Sequence, residues 1–124
     1  MYMDKMKIGG VVFIQTLVKE NGIWRPLYTH RYTNIITDSG KEMLRDALSS
    51  GTLSPISFLG IGTGTTTVSS SDTEIEDEIF RVQYDYTAPV GTKMYFYFYV
   101  APDEANQTWK NIGLLTADNT LFSH

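Results

Sequence analysis

This chain of 124 residues contains no cysteine, two histidines, four prolines and ten basic residues against fourteen acidic ones. Without cysteine, the sequence excludes disulfide bonds, thiolate metal sites and cysteine nucleophiles, so stability must come from packing. The net charge of -4 and the scattered lysines and arginines argue against a nucleic-acid partner, because binding to a phosphate backbone draws on clustered cations. These absences point away from thiol chemistry and from nucleic-acid binding.

Long hydrophobic runs are also missing. No apolar segment approaches the roughly 20 residues that span a bilayer, and the N-terminal MYMDKMKIGG lacks the apolar core of a signal peptide. We therefore expect no membrane partner and no export through an N-terminal signal. Hydrophobic residues make up 42% of the sequence and aromatic residues 13%, which suffices for one core in a chain of this size. We predict a single domain over residues 1–124.

The first third of the chain predicts a long β-hairpin. A β-rich run covers residues 7–19, Asn21 and Gly22 form the dipeptide that favours a type I′ turn, and residues 23–36 return. Pro26 cannot donate a ladder hydrogen bond, so we expect it at an edge or a bulge of the returning strand. Residues 1–33 are a candidate assembly arm, since an exposed strand pair invites a partner.

One segment, about residues 39–50, predicts a short helix. Ser39 and Glu42 fit a capping box, and Gly51 suits the position at which a helix stops. Such a short amphipathic helix packs on a sheet more readily than it stands alone. The face expected to pack inward comprises Met43, Leu44, Ala47 and Leu48.

The remaining elements predict a mainly β fold, an antiparallel sheet or sandwich with this one short helix and the N-terminal hairpin. Further strands are expected at residues 56–61, 79–87, 94–100 and 108–115, and at 121–122. In the run 94–100, alternation along a strand sends two sets of side chains to opposite faces. We expect the apolar set to be buried and the tyrosines to face solvent or a neighbour: Phe96, Phe98 and Val100 against Tyr95, Tyr97 and Tyr99.

The stretch GIGTGTTT at residues 60–67 has the look of a phosphate-binding loop. A Walker A loop needs a lysine that is missing here, and the dinucleotide fingerprint needs a third glycine where Thr65 stands. No helix of useful length follows. We therefore predict that Gly60, Gly62, Gly64 and Thr65 form a structural loop that needs close backbone approach, and that the protein binds no cofactor.

Acid–base and metal chemistry find little support. The acidic segment 72–78 fails the EF-hand spacing, so it indicates a solvated loop or turn, with a weak cation site as the alternative. His30 lies in the hairpin and His124 ends the chain, where mobility is expected, and neither has a nucleophile signature nearby. Without a nucleophile, base and orienting group, we expect neither a catalytic site nor a metal site.

Four motifs in a fixed order carry a family resemblance. They are NIITDSG at residues 34–40, LGIGTGTT at 59–66, SDTEIEDE at 71–78, and EAN at 104–106 with IGLL at 112–115. Over about residues 34–122 the chain resembles a widespread group of small structural proteins of tailed bacteriophages. That group shows N-[LI]-[VI]-T-D-x-G, I-G-x-G-T-T, S-D-T-x-L-x-x-E and E-A-N with a later G-L-F.

Two departures from the group's pattern bear on the fold. Leu115 stands where relatives usually have phenylalanine, and the chain stops at LFSH where relatives commonly continue into another strand. On that comparison we expect an open sheet edge near His124.

The resemblance implies a non-enzymatic protein of the virion, most simply a tail component. Its partners would be copies of itself and other virion proteins, with no small-molecule substrate. A decoration protein on the capsid shell is the alternative, and a carbohydrate-binding receptor module that uses exposed Tyr and Trp is a weaker one. The candidate interface residues are Val11, Phe13, Trp24, Tyr95, Tyr97 and Tyr99.

Overall fold

The computed structural model describes residues 9–124 and has the mainly β architecture that the sequence predicts. The chain divides into two compact units, a hairpin unit that ends at Asn34 and a body, Ile35–His124. The hairpin unit contains β1 and β2, and the body contains one helix and six strands among the described residues. The bounds are β1 Gly10–Glu20, β2 Ile23–Asn34, α1 Asp38–Ser50, β3 Ile56–Gly62, β4 Glu78–Gln83, β5 Tyr86–Val90, β6 Lys93–Tyr97, β7 Asn111–Thr116 and β8 Leu121–Ser123.

The hairpin unit follows the predicted turn chemistry. Asn21 and Gly22 have φ angles of 53° and 77°, the positive values that a type I′ turn requires at both central positions. The two strands pair antiparallel, with a register shift between Thr16 and Leu17, and Pro26 lies opposite Leu17 at this irregularity. The predicted bulge at the proline is confirmed. The part of the predicted arm that precedes Gly9 lies outside the described residues.

The body is built on a four-stranded antiparallel sheet in the order β4-β3-β7-β8. Its core lies on the face where Ile75 meets Leu115 and Leu121, with Phe58 packed against them. Ile75 comes from the acidic segment between β3 and β4 and is the apolar residue that ties this segment to the sheet. A second small sheet pairs β5 with β6.

The outer edge of β8 is covered, so the prediction of an open edge near His124 is wrong. The N–H of Ile35 donates to the His124 carbonyl and the N–H of His124 donates to the Ile35 carbonyl, both at 2.9 Å. One step along, the Thr37 N–H donates to the Phe122 carbonyl at 3.1 Å. The extended residues 35–37 before the helix therefore pair with the outer edge of β8, in place of a further strand.

The helix begins one residue before the predicted start, and the predicted cap is wrong. Thr37 is the N-cap: its Oγ1 accepts a hydrogen bond from the Gly40 N–H at 3.0 Å. Thr37 takes this place over Ser39 because it is already fixed by its pairing with β8. Gly51 ends the helix in the left-handed conformation as expected, whereas Leu48, predicted to be inward, is 82% exposed.

The predicted strand over residues 79–87 is split, because the chain changes partners there. The Tyr84 N–H still donates to the Ser57 carbonyl of β3, whereas the Asp85 N–H donates to the Tyr97 carbonyl of β6. Along β6 and the residues after it the face assignment is confirmed. Phe96, Phe98 and Val100 are half-buried, and Tyr95, Tyr97 and Tyr99 are exposed.

Candidate interaction surfaces

The predicted structural loop is held by close packing. Gly60 and Gly62 lie in β3 and Gly64 just beyond it, and none of them has a positive φ angle. A Cβ on Gly62 would overlap the Glu76 carbonyl oxygen and lie 2.7 Å from Asn111 Nδ2. A side chain has no room there, because the chain of the acidic segment crosses directly over the strand. Thr65 is exposed and follows this crossing.

Beneath Ile75 the sheet presents a floor of glycine backbone. Gly60 and Gly113 face each other across the β3–β7 ladder. Built Cβ atoms on them would come within 2.9 and 2.7 Å of the Ile75 side chain. Ile75 therefore packs on the sheet at a distance that only glycine permits. These glycines thus let the acidic segment pack directly on the sheet, the close approach that the sequence analysis expected at Gly60; Gly113 was not among the predicted loop residues.

Asn111 connects this loop to the acidic segment. Its Nδ2 donates to the carbonyl oxygens of Gly64 at 3.1 Å and Glu76 at 3.0 Å, and its Oδ1 accepts from the Glu76 N–H at 3.2 Å. The side chain is buried, and it joins the Gly64 and Glu76 backbone groups to β7 in addition to the hydrogen bond of 3.2 Å from the Gly64 N–H to the Glu76 carbonyl. The two carbonyl acceptors fix the amide orientation and leave Oδ1 directed at a fourth partner.

That fourth partner is His124, which is 6% exposed rather than mobile. Its Nε2 lies 2.8 Å from Asn111 Oδ1 and its Nδ1 lies 2.9 Å from Asp72 Oδ2. The two ring nitrogens thus face an amide oxygen and a carboxylate oxygen. In a catalytic triad the second nitrogen faces a nucleophile. Here it faces an amide oxygen, so the ring bridges two segments.

Two carboxylates of the acidic segment, those of Asp72 and Glu76, also hold neighbouring backbone groups. Asp72 Oδ2 also accepts the Ser69 N–H at 2.8 Å, and this backbone hydrogen bond, with that from His124, lowers the pKa of Asp72. Glu76 accepts the Thr66 N–H at 3.0 Å and the Thr66 hydroxyl at 2.8 Å. These groups border an open polar groove of about 370 Å³. Within residues 9–124 there is no group of three acidic or histidine side chains placed to hold a metal ion.

The hairpin unit carries an exposed apolar stripe on one face. In β1 the odd-numbered residues are exposed and the even-numbered ones half-buried from residue 11 to residue 19. Cross-strand pairing places Trp24 beside Lys19, whose ammonium lies 5.8 Å from the indole ring, and Arg31 beside Phe13. We call this face the cationic stripe. Its apolar members are Val11, Phe13, Leu17 and Trp24, and its charged members are Lys19 and Arg31.

The body carries an apolar cavity of about 320 Å³. Met43 and Leu44 of α1 form one side, and Phe96 of β6 and Phe122 of β8 contribute others. Met43 and Leu44 are half-buried because they line this open cavity and no further element covers them. An open apolar cavity of this size is typical of a place where a side chain or ligand binds.

A row of tyrosines forms a third surface. Tyr86 and Tyr97 are opposite each other in the β5–β6 ladder, with ring centroids 4.3 Å apart and planes within 12° of parallel. Tyr95 stacks against Tyr97 at 6.4 Å, and Tyr99 continues the exposed row. The candidate interface tyrosines are thus brought together with Tyr86, which the sequence analysis did not single out.

Sequence reasoning missed Asn111 and the bridging role of His124. Asn111 lies 13 residues from His124 and 35 from Glu76, and His124 lies 52 from Asp72. No local pattern marks either residue, because an asparagine at a strand start and a lone histidine are common at exposed positions. The two residues acquire their roles only when β7, β8 and the acidic segment come together.

Comparison with known proteins gives no match among family models, curated proteins or solved structures. Among the described residues there is also no helix of the length and apolar character that a membrane span needs.

Proposed function

We propose that this chain is a non-enzymatic structural protein of a tailed-bacteriophage virion, a tail component that works by contact with copies of itself and with neighbouring virion proteins. The observation that carries the proposal is the hairpin unit. It exposes large apolar side chains, among them Phe13 at 59%, on a two-stranded sheet that forms a compact unit of its own. Isolated two-stranded sheets are marginal in water, and apolar surface of this kind marks a place where another protein binds. The ordered motifs of residues 34–115 supply the virion assignment.

A structural role is further supported by the use of the polar groups. The buried histidine and its carboxylate partner, which could form two parts of a catalytic set, are both engaged in holding chain segments together. The glycine loop approaches its own neighbours so closely that it leaves no space for a phosphate over Gly62. The titratable residues that could take part in catalysis therefore hold the body together, and the exposed apolar residues remain for binding another protein.

Self-association of the purified full-length chain tests the proposal. We expect sedimentation velocity to show oligomers that grow with concentration, because apolar surface is buried when copies meet. Mass spectrometry of purified particles should also detect the chain. A chain that stays monomeric up to about 1 mM and is missing from particles would contradict the proposal.

A capsid decoration protein is the alternative, since a long hairpin that reaches a neighbour would suit that role equally well. The copy number per particle distinguishes the two assignments. Quantitative mass spectrometry against the major capsid protein should give copies on the order of tens per particle for a tail component. A count on the order of hundreds would favour decoration of the head shell.

The row of tyrosines favours a second candidate function, carbohydrate binding. Flat exposed rings such as Tyr86, Tyr97 and Tyr99 offer the surfaces on which sugar rings stack. A glycan array of the full-length chain tests this function. Binding that is lost in Tyr97→Ser and kept in Phe13→Ser would support it, and an array without signal would remove it.

A further inference from the structure

We propose that assembly is head-to-tail: the cationic stripe of one copy docks over the apolar cavity in the body of a second copy. The inference rests on the proposed function and names the two surfaces that would meet. It follows from three observations on the described surfaces: the distribution of charge between the two units, the composition of the stripe, and the open cavity.

The two units have opposite charge. Residues 1–34 contain five basic and two acidic side chains, a net charge of +3, whereas residues 35–124 contain five basic and twelve acidic ones, a net charge of -7. The overall value of -4 conceals this division. Opposite potentials draw such surfaces together and suppress pairing between like units. Charge therefore favours contact between the hairpin unit of one copy and the body of another.

The composition of the stripe argues against the simplest alternative, in which two hairpins stack face to face. The stripe carries Lys19 and Arg31, and it has no carboxylate in either strand. Glu20, the acidic residue of β1, is paired with Ile23 and forms its ion pair with Arg25 at 2.6 Å. Two stripes in contact would bring cations together without a compensating charge, which disfavours a symmetric hairpin dimer.

The cavity supplies an apolar receptor on the acidic unit. It is walled by Met43, Leu44, Phe96 and Phe122, and its volume of about 320 Å³ is large enough for an aromatic side chain. Phe13 and Trp24 are the aromatic groups that the stripe presents. An aromatic anchor that fills an apolar cavity is a usual centre of a protein interface.

A head-to-tail contact uses two different surfaces of each copy. Such contacts produce a ring when the rotation between copies closes and a filament when it does not. In an open assembly, the copy at one end has a free stripe and the copy at the other end has a free cavity. Mixing variants that each lack one surface therefore tests the geometry.

The experiment uses full-length chains that each lack one surface. Phe13→Ser removes the anchor of the stripe, and Thr87→Trp fills the cavity from a position that is exposed and lines it. Tyr32→Ser and Thr92→Trp are matched controls: Tyr32 is exposed on the other face of the hairpin, and Thr92 is exposed in the β5–β6 turn away from the cavity. Circular dichroism and thermal melts verify that each variant is folded, and Trp24→Ser and Thr87→Phe replace a variant that is not.

We expect each surface variant to weaken self-association by about tenfold or more, and each control to match the wild type. An equimolar mixture of Phe13→Ser and Thr87→Trp should form a species of two chains and no larger one. In that mixture the Thr87→Trp copy contributes an intact stripe and the Phe13→Ser copy an intact cavity, so one good contact forms and growth stops.

Two results would overturn the inference while leaving the proposed function in place: a wild type that associates but is unaffected by Thr87→Trp, or a mixture in which no two-chain species forms. A wild type that does not associate and is missing from particles would overturn both.

Discussion

At the scale of single residues, Gly62 is the glycine of the structural loop at which an added Cβ would meet backbone rather than a side chain first. A Cβ there would meet the Glu76 carbonyl, a backbone atom that cannot move aside without displacing the acidic segment. We expect Gly62→Ala to lower the free energy of unfolding by about 2 kcal/mol, the cost typical of overpacking. Urea unfolding followed by circular dichroism measures this.

Gly9 provides the matched control, since a Cβ there meets nothing within 4 Å. Gly9→Ala should change the free energy of unfolding by less than about 0.5 kcal/mol. An unchanged stability in Gly62→Ala would show that the crossing over β3 is loose. A rise in melting temperature on addition of ATP or NAD would contradict the structural role of the loop altogether.

The Asp72 carboxylate links the stability of the body to pH. Its pKa is lowered chiefly by the Ser69 N–H, so the native state binds fewer protons than the unfolded state, whose Asp groups titrate at about 3.9. Its contribution to stability is therefore present above about pH 4 and is lost as the pH falls through the lowered native value. Asp118, whose pKa the Thr116 hydroxyl lowers, acts in the same direction.

We expect the free energy of unfolding to fall between about pH 6 and pH 3, and to fall less in Asp72→Asn. Urea titrations at the two pH values provide the measurement. Asp103→Asn, which changes an exposed loop residue, is the control and should follow the wild type. An equal fall in Asp72→Asn and in the wild type would mean that the contacts to Ser69 and His124 do not favour the charged carboxyl in solution.

At the scale of elements, the start of α1 joins two structural tasks in one residue. The Thr37 hydroxyl oxygen accepts the Gly40 N–H, and the hydroxyl donates to the Leu121 carbonyl at 2.5 Å. The helix is thereby tied to β8 as well as capped. The local sequence pattern favours Ser39 as the N-cap, but pairing of residues 35–37 with β8 places Thr37 there.

We expect Thr37→Ala to cost about 2 kcal/mol, because it removes the cap and leaves a buried carbonyl without this partner. Ser39→Ala should cost less than about 0.5 kcal/mol, because Ser39 lies within the helix rather than at its cap. Chemical denaturation of both variants distinguishes the two positions. If Ser39→Ala proved the more destabilising change, the helix would start where the sequence pattern places it.

At the scale of the whole molecule, the opposite charges of the hairpin unit and the body predict a salt dependence for the proposed assembly. If a unit of +3 meets one of -7 in neighbouring copies, added salt screens the attraction. We expect the self-association constant to fall as NaCl is raised from about 0.05 M to 0.5 M, and to fall less in Lys19→Gln with Arg31→Gln, measured by sedimentation. Lys110→Gln, which removes one cation from the body instead of from the stripe, is the control and should keep the salt dependence of the wild type. Association that strengthens with salt would indicate a contact driven by apolar surface alone.

The sequence by itself determined the elements whose signals are local. Asn21 and Gly22 define the hairpin turn because few other residues tolerate two successive positive φ angles. Gly51 stops the helix for the same reason, and alternation sorts Phe96 from Tyr95 and Tyr97. The absence of cysteine and the mainly β patterning were likewise readable without a structure.

Tertiary structure alone decided which distant segments meet. Residues 35–37 cover β8, Ile75 packs on the glycine floor, and Asn111 joins His124 to the acidic segment. These contacts span separations of 13 to 89 residues, which no period in the sequence encodes. Leu48 stays exposed although its spacing is helical, since the body offers no surface opposite it. Local conformational preference acts within a few residues, whereas these contacts depend on how the sheet positions its strands.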